Sequence, residues 1–343
     1  MTFRRRLAAA PAVFRRRSAA ALMALVFVLS AACISCGKNP DIRGRDNAGL
    51  LNVLVTFDAI YEIASAVGGG RVSIEKIMPD GAEAHDFEPQ AKDLAALSSA
   101  DMLIVNGLGF DSWAEKAASA SSNAELLYVD ASAGVEPIGL SESEDDGRDS
   151  NEPGGEEGTL SSSNSHSSHI HGSYDPHIWL SPVCCAIMAE NIRDAFCVCD
   201  PDGAEVYTSC CSEFTKSLND LFAEYSVRFS GLEKRTIVTG HAVFAYLCRD
   251  FDLRQNSVEG VFAEGEPSAK ALASLIGFCL DNGITTILTE HLASPLVAET
   301  LAAEAGAVVD EIYTMEGAEG GATLLERMSS NLDTIYRALS PVK

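Results

Sequence analysis

The sequence has few basic side chains. It carries 25 Lys and Arg residues against 49 Asp and Glu residues, which gives a formal net charge of −24 at pH 7. An acidic surface repels nucleic acid and anionic lipid headgroups, and it raises the local concentration of cations. We therefore expect no nucleic-acid partner. A surface that binds cations and a surface that only keeps the protein soluble both remain open.

Long apolar runs are also lacking. The longest, Ala19 to Ala32, falls short of the roughly 20 residues that a membrane-spanning helix needs. Two arginine triplets, Arg4 to Arg6 and Arg15 to Arg17, precede this run. A basic segment followed by a short apolar segment is typical of a signal peptide. The sequence therefore predicts a protein that works outside the cytoplasm.

The end of the apolar run and the residues after it read Ala-Ala-Cys-Ile-Ser-Cys-Gly. This order is typical of a lipoprotein signal, in which cleavage precedes a cysteine that is then acylated. We predict a signal peptide over residues 1–35, lipidation at Cys36 or else at Cys33, and a flexible tether over residues 36–50. The protein would then be anchored by lipid to the outer face of the cell membrane, or be periplasmic. A plain cleaved secretory peptide is the alternative.

The paired C-x-x-C knuckles of a zinc ribbon are absent among the eight cysteines that follow residue 36. These cysteines are Cys184, Cys185, Cys197, Cys199, Cys210, Cys211, Cys248 and Cys279. An oxidising compartment allows disulfides, but adjacent cysteines on a helix point about 100° apart and cannot both reach one partner. The pairing stays open, and we expect several of these thiols to be small buried apolar groups.

Segments of strand length alternate with segments of helical periodicity, which predicts parallel sheets covered by helices on both faces. The predicted strands cover residues 51–57, 72–78, 102–106, 126–129, 235–239, 253–261, 284–288 and 307–312. The predicted helices cover residues 59–67, 90–98, 111–120, 182–197, 204–229, 242–249, 267–280, 295–305 and 319–338. The fold class is therefore α/β.

Residues 139–174 hold almost no large apolar side chains and are rich in acidic residues, serine and histidine. Such a segment cannot offset its ordering entropy, so we predict a disordered loop within an N-terminal βα lobe over residues 51–203. A connecting helix lies within residues 204–232 and spans on the order of 38 Å. A C-terminal βα lobe follows over residues 233–343. Ligands of α/β sheets bind beyond the carboxyl ends of the strands, which places a cleft between the lobes.

Three histidines stand in separate phrases of the sequence. They are His85 in Gly-Ala-Glu-Ala-His-Asp-Phe-Glu-Pro, His177 in Asp-Pro-His-Ile-Trp-Leu, and His241 in Gly-His-Ala-Val-Phe-Ala-Tyr. His85 and His241 follow predicted strands, where the cleft should lie. Taken singly, the three could be a loop residue, a capping residue and a helix N-terminal group. Together they indicate an open metal site built from imidazoles on loops.

The same phrases give the chain a specific resemblance. It resembles the metal-binding lipoproteins that serve as solute-binding components of zinc and manganese ABC importers, from about Leu51 to Tyr336. Glu266-Pro-Ser-Ala-Lys270 and the Gly-Ala-x-Val run at Gly306 extend the match. The resemblance implies two βα lobes with parallel sheets, joined by a long rigid helix, with one metal ion in the cleft between them.

The resemblance also implies that His85, His177 and His241 are metal ligands. Manganese-preferring relatives have a glutamate at the third position, where this chain has His241. Imidazole favours zinc, and three neutral histidines leave one tetrahedral position open. Glu316 is the nearest carboxylate to the family's fourth ligand, and Glu290 or a water molecule is the alternative.

The expected function is that of a monomeric zinc receptor that delivers Zn²⁺ to a membrane permease with a cytoplasmic ATPase. The loop histidines His166, His169 and His171 either capture zinc weakly or belong to a solvated spacer. A manganese or iron receptor is the alternative within this class. A zinc hydrolase and a surface adhesin are alternatives from other classes, although the sequence has no HExxH helix, and we expect no enzymatic activity.

Overall fold

The computed structural model describes residues 49–80, 82, 87–140, 173–260, 268–291 and 296–341. The predicted signal peptide, both candidate lipidation sites, one predicted metal ligand and the loop histidines lie outside these residues: Cys33, Cys36, His85, His166, His169 and His171. None of the helices in the described ranges combines the length and apolar character that a bilayer crossing requires.

The first lobe is built on a parallel four-stranded sheet of order β2-β1-β3-β4. Its strands are β1 (Leu51–Val55), β2 (Val72–Lys76), β3 (Met102–Val105) and β4 (Leu127–Asp130). Its helices are α1 (Asp58–Gly68), α2 (Ala91–Leu97) and α3 (Trp113–Ala120). All four residues of β3 are buried. An unbroken apolar run of this kind is expected for an inner strand covered on both faces.

The second lobe repeats this plan with a parallel sheet of order β6-β5-β7-β8. Its strands are β5 (Thr236–His241), β6 (Arg254–Glu259), β7 (Thr286–Glu290) and β8 (Val308–Ile312). Its helices are α6 (Ala245–Asp250), α7 (Ala269–Asp281), α8 (Leu296–Ala305) and α9 (Leu324–Leu339). The predicted α/β class with two parallel βα lobes is confirmed. Strands β5 and β7 run two residues further than predicted, so that His241 and Glu290 end adjacent strands.

Two long helices, α4 (Pro182–Cys199) and α5 (Ala204–Ser230), connect the lobes. Ser181 caps α4 through a hydrogen bond from the N–H of Cys184, and Pro182 occupies its first turn, where a missing N–H costs nothing. Helix α5 has 27 residues and is therefore about 40 Å long.

Side chains at both ends of α5 pack into aromatic clusters. The ring centroid of Tyr207 lies 5.3 Å from that of Phe196 in α4, and the centroid of Phe229 lies 5.2 Å from that of Phe251 in the second lobe. Buried apolar residues of both lobes and of α5 belong to one continuous core. Helix α5 is thus fixed along its length.

The start of α9 differs from the sequence prediction. The helix begins at Leu324 rather than at residue 319, because Thr323 and Glu326 form a capping box. Gly320 and Gly321 precede it with φ angles of 66° and 71°. These left-handed conformations cannot continue a right-handed helix.

Candidate metal centre

His177 is held by an aspartate two residues before it. Asp175 Oδ1 accepts the main-chain N–H of His177 at 2.9 Å and lies 2.8 Å from its Nδ1. Since a carboxylate only accepts, Nδ1 carries a ring proton, and the neutral form of this ring has its lone pair on Nε2. Histidine ligands of metals commonly donate their second ring N–H to a carboxylate in this way. The Asp175 carboxylate therefore fixes the orientation of the His177 imidazole, which is fully buried.

The loop after β3 supports the segment that carries His177. Asn106 Nδ2 donates to the carbonyl of Pro176 at 2.9 Å. Asp111 fixes this loop by accepting the N–H groups of Asn106 and Gly107 at 2.6 and 3.1 Å and the hydroxyl of Thr56 at 2.8 Å. Burial raises the pKa of Asp111 to about 6, although these hydrogen bonds act in the opposite direction.

His241 is the last residue of β5, and its main chain is fixed by groups from β6 and β7. Its N–H donates to Glu290 Oε1 at 2.9 Å, and its carbonyl accepts from Gln255 Nε2 at 2.8 Å. Burial raises the pKa of the Glu290 carboxyl, and the nearby Glu259 acts in the same direction, while N–H donors from the main chain oppose both.

Gly240 allows the Glu290 carboxylate to approach β5. A Cβ atom at position 240 would lie 2.6 Å from Glu290 Oε2, closer than real Cβ contacts allow. A side chain at position 240 would therefore have to displace this carboxylate. Gly240 and Glu290 therefore act together to place His241.

The imidazole of His177 in the first lobe lies beside the imidazole of His241 in the second lobe. Their ring centroids are 5.5 Å apart and their planes are inclined at 86°. Two imidazoles that bind one tetrahedral zinc ion at about 2.0–2.1 Å place their ring centroids about 5 Å apart. Two of the three predicted histidine ligands thus lie at a spacing that suits a shared ion.

The remaining predicted ligands are His85 and Glu316. His85 lies outside the described residues, and in the part of the chain that the structure covers no group of three or more His, Cys, Asp and Glu side chains forms a metal site. Glu316 is half-buried and lies in the turn between β8 and α9. Its carbonyl accepts the N–H of Asp58 at 3.4 Å.

The turn that contains Glu316 lies beside the His177 segment. Trp179 Nε1 donates to the carbonyl of Thr314 at 2.8 Å, and the Trp179 and His177 ring centroids are 5.2 Å apart. Met315 has a φ of 61° and is fully buried. A left-handed conformation at a residue with a side chain costs about 1 kcal/mol or more and persists only where neighbouring contacts hold it.

An ion network that the sequence analysis did not predict fixes the same turn. Arg327 is 1% exposed; it donates to Asp58 Oδ2 at 2.8 Å and to the carbonyl of Gly317 at 2.7 Å, and lies 3.4 Å from Glu319 Oε2. Asp80 accepts the N–H of Ala318 at 3.0 Å. Since Asp58 and Asp80 belong to the first lobe, the turn is tied to both lobes.

The eight cysteines of the described residues are thiols without disulfide bonds. Five of them are buried: Cys184, Cys185, Cys211, Cys248 and Cys279. Burial raises the pKa of the Cys248 thiol to about 12. The interpretation of several cysteines as small buried apolar groups is confirmed.

The chain is similar in sequence to known proteins. A putative metal-binding protein of Treponema pallidum is 38% identical over 325 residues, which cover 94% of this chain and 96% of the relative. The high-affinity zinc uptake system protein ZnuA of Bacillus subtilis is 30% identical over 333 residues, 95% of this chain and 99% of the relative.

Among solved structures, the laminin-binding protein Lmb of Streptococcus agalactiae superposes with a TM-score of 0.72 at 26% identity. The match covers 85% of this chain and all of that one, which is described as a bifunctional protein with adhesin and metal-transporting activity. The family described as zinc-uptake complex component A, periplasmic (ZnuA) matches residues 53–338. The chain therefore belongs to the ZnuA family.

Proposed function

We propose that this protein is an extracytoplasmic receptor that binds Zn²⁺ and delivers it to the permease of an ABC importer. One observation carries the proposal: an imidazole from each lobe, His177 and His241, lies with its ring centroid 5.5 Å from the other. The zinc-uptake role named for the Bacillus subtilis relative supports the same function. The protein does no chemistry on the metal; it binds, carries and releases it.

The proposed ligands are His85, His177 and His241, with Glu316 in the fourth position. Nitrogen donors favour zinc over manganese, which prefers oxygen ligands. Glu290 is less suited to be the fourth ligand, because its Oε1 already accepts the His241 N–H and its Oε2 lies against Gly240. We assign Glu290 the role of placing His241.

The finer features of the proposal concern location and partners. Lipidation at Cys36 or Cys33 would hold the receptor near its permease, whose ATPase lies in the cytoplasm. The receptor acts as a monomer. His166, His169 and His171 would serve at most as weak auxiliary ligands, since a flexible segment pays an ordering cost on binding.

The test begins with metal analysis of the purified mature protein and calorimetry with Zn²⁺ and Mn²⁺. We expect one zinc ion per chain and weaker binding of manganese. His177→Ala and His241→Ala should each lower zinc affinity by more than the roughly 10–100-fold that loss of a supporting contact costs. His291→Ala is the matched control, because His291 lies beside Glu311 on the second lobe, with its Nδ1 3.4 Å from the carboxylate. A His241→Ala protein that bound zinc as tightly as the parent would contradict the proposal.

The likeness to the streptococcal laminin-binding protein favours a second candidate function, adhesion to laminin. Immobilised laminin provides the test. Adhesion independent of the metal site predicts that the His177→Ala and His241→Ala proteins bind laminin as the parent does. No binding by the parent would remove this candidate and leave the receptor function untouched.

A further inference from the structure

The hydroxyl of Tyr246 joins the two lobes next to the candidate metal centre. Tyr246 lies in α6, five residues after His241, and is fully buried. Its hydroxyl donates to the carbonyl of Asp175 at 2.6 Å and accepts the N–H of Ile138 at 3.1 Å. A single oxygen of the second lobe thus bonds to the main chain of two separate segments of the first.

These two segments form a short antiparallel pair that the hydroxyl completes. The N–H of Asp175 donates to the carbonyl of Ile138 at 2.9 Å, and Gly139 and Tyr174 form the adjoining bridge. In a regular antiparallel pair, residues in the position of Ile138 and Asp175 exchange two hydrogen bonds. Here the Tyr246 hydroxyl stands between the N–H of Ile138 and the carbonyl of Asp175, in place of the second bond.

The residue held in this way is the one that orients His177. Asp175 uses its carbonyl to bind Tyr246 and its carboxylate to bind the ring and N–H of His177. Burial raises the pKa of Tyr246 to about 12, so the phenol keeps the proton that it donates. A shift of Asp175 would therefore turn the His177 imidazole relative to His241.

We propose that Tyr246 is a positioning residue that couples the lobe of His241 to the imidazole of His177. The inference rests on the proposed function, because it takes both histidines as ligands of one zinc ion. Loss of the hydroxyl would remove neither imidazole, but it would let Asp175 shift and turn the His177 imidazole with it. Zinc should then enter as before and leave faster.

Tyr246→Phe removes this one oxygen and is the direct test. The matched control is Tyr207→Phe, since Tyr207 is also fully buried and its hydroxyl donates to Asp200 at 2.8 Å in the corner between α4 and α5. We expect Tyr246→Phe to raise the zinc dissociation rate in a chelator chase by about tenfold, with little change in the association rate. Tyr207→Phe should leave both rates unchanged, even if urea unfolding shows that both variants lose stability.

A second readout concerns the orientation of His177 itself. In the metal-free parent, the Nδ1 proton held by Asp175 should give a distinct downfield proton resonance. Tyr246→Phe should shift or broaden this resonance, and Tyr207→Phe should not. Hydrogen exchange on the parent needs no variant: bound zinc should slow exchange at the Ile138 amide, because the metal fixes the groups that Tyr246 bridges.

The outcomes separate this inference from the proposed function. If the parent binds zinc and Tyr246→Phe releases it at the parental rate, or if Tyr207→Phe accelerates release equally, the positioning role is wrong. An Ile138 amide exchange rate that is the same with and without zinc would contradict the positioning role as well. If the parent binds no zinc, the proposed function fails, and an unchanged His177 resonance in metal-free Tyr246→Phe would overturn the positioning role independently.

Discussion

The carboxylate of Glu290 accepts the main-chain N–H of His241 at 2.9 Å, from the end of the adjacent strand. The contact joins residues 49 positions apart in the sequence, and it sets where the His241 imidazole leaves the sheet. Glu290→Ala should therefore lower zinc affinity by about 10–100-fold, the usual effect of losing a partner that supports a ligand.

Glu290→Gln separates support from ligation. An amide oxygen can still accept the His241 N–H, so a supporting role predicts a smaller loss in calorimetry than Glu290→Ala shows. A direct ligand would instead lose its charged oxygen in both variants, and the two losses would be similar. Glu311→Ala provides the control, because Glu311 is exposed on β8.

Gly240→Ala should disturb the same contact from the other side. The added methyl group would lie 2.6 Å from Glu290 Oε2, so the carboxylate must move away and release the His241 N–H. We expect a loss of zinc affinity like that of Glu290→Ala. The Gly240→Ala/Glu290→Ala double variant should be no worse than either single one, since both act through one contact. Additive losses would show that Gly240 matters for another reason.

Asp111 gives the stability of the fold a defined pH dependence. Its pKa is raised to about 6 by burial, above the value of about 3.9 in an unfolded chain. The native state therefore binds the Asp111 proton more tightly than the unfolded state does. The resulting contribution to the free energy of unfolding is full below the unfolded-state pKa and is lost as the pH rises through 6. Urea unfolding of the parent and of Asp111→Asn should show the parent's advantage shrinking by about 2 kcal/mol between about pH 4 and 7. A constant or growing difference would contradict the assignment.

Arg327 should matter for stability far more than an exposed arginine does. Arg327→Met removes this cation from Asp58 of the first lobe, which keeps its pair with Lys76, and from the buried Glu319. Breaking a buried ion pair costs about 3–5 kcal/mol. Adding Glu319→Gln should recover part of that loss in urea unfolding. Arg337→Met is the control on the same helix, because the Arg337–Asp310 pair is exposed and such pairs contribute about 0–1 kcal/mol. Equal effects of the two arginine variants would show that the Arg327 network is not a structural bond between the lobes.

Local patterns in the sequence were sufficient to predict the fold class and most element boundaries. Helix α5 was predicted over residues 204–229 and is found at Ala204–Ser230, because Pro201 and Gly203 mark its start and apolar residues recur at helical spacing. The late start of α9 was also readable, since Thr323 and Glu326 are spaced as a capping box. The predicted ligands His177 and His241 lie together, and the sequence motifs around them were what indicated these two positions.

The partners of those histidines depend on tertiary contacts that no local pattern encodes. An acid two residues before His177 was visible, and its bond to Nδ1 could have been inferred from the chemistry of metal-bound histidine. By contrast, Tyr246 meets Asp175 across 71 residues and Arg327 meets Asp58 across 269. Such contacts depend on the strand order and on the arrangement of the two lobes. The spacing of motifs in the sequence reveals neither the strand order nor the lobe arrangement.

Helix α5 has a mechanical consequence for the whole receptor. It is helical without a break from Ala204 to Ser230, and aromatic side chains pack against each other near both of its ends. A continuous helix that is packed at both ends provides no hinge for a large rotation of one lobe relative to the other. We therefore expect the metal-bound and metal-free forms to differ mainly in side chains and short turns near the metal centre. A permease that distinguishes the two forms must then recognise these local differences.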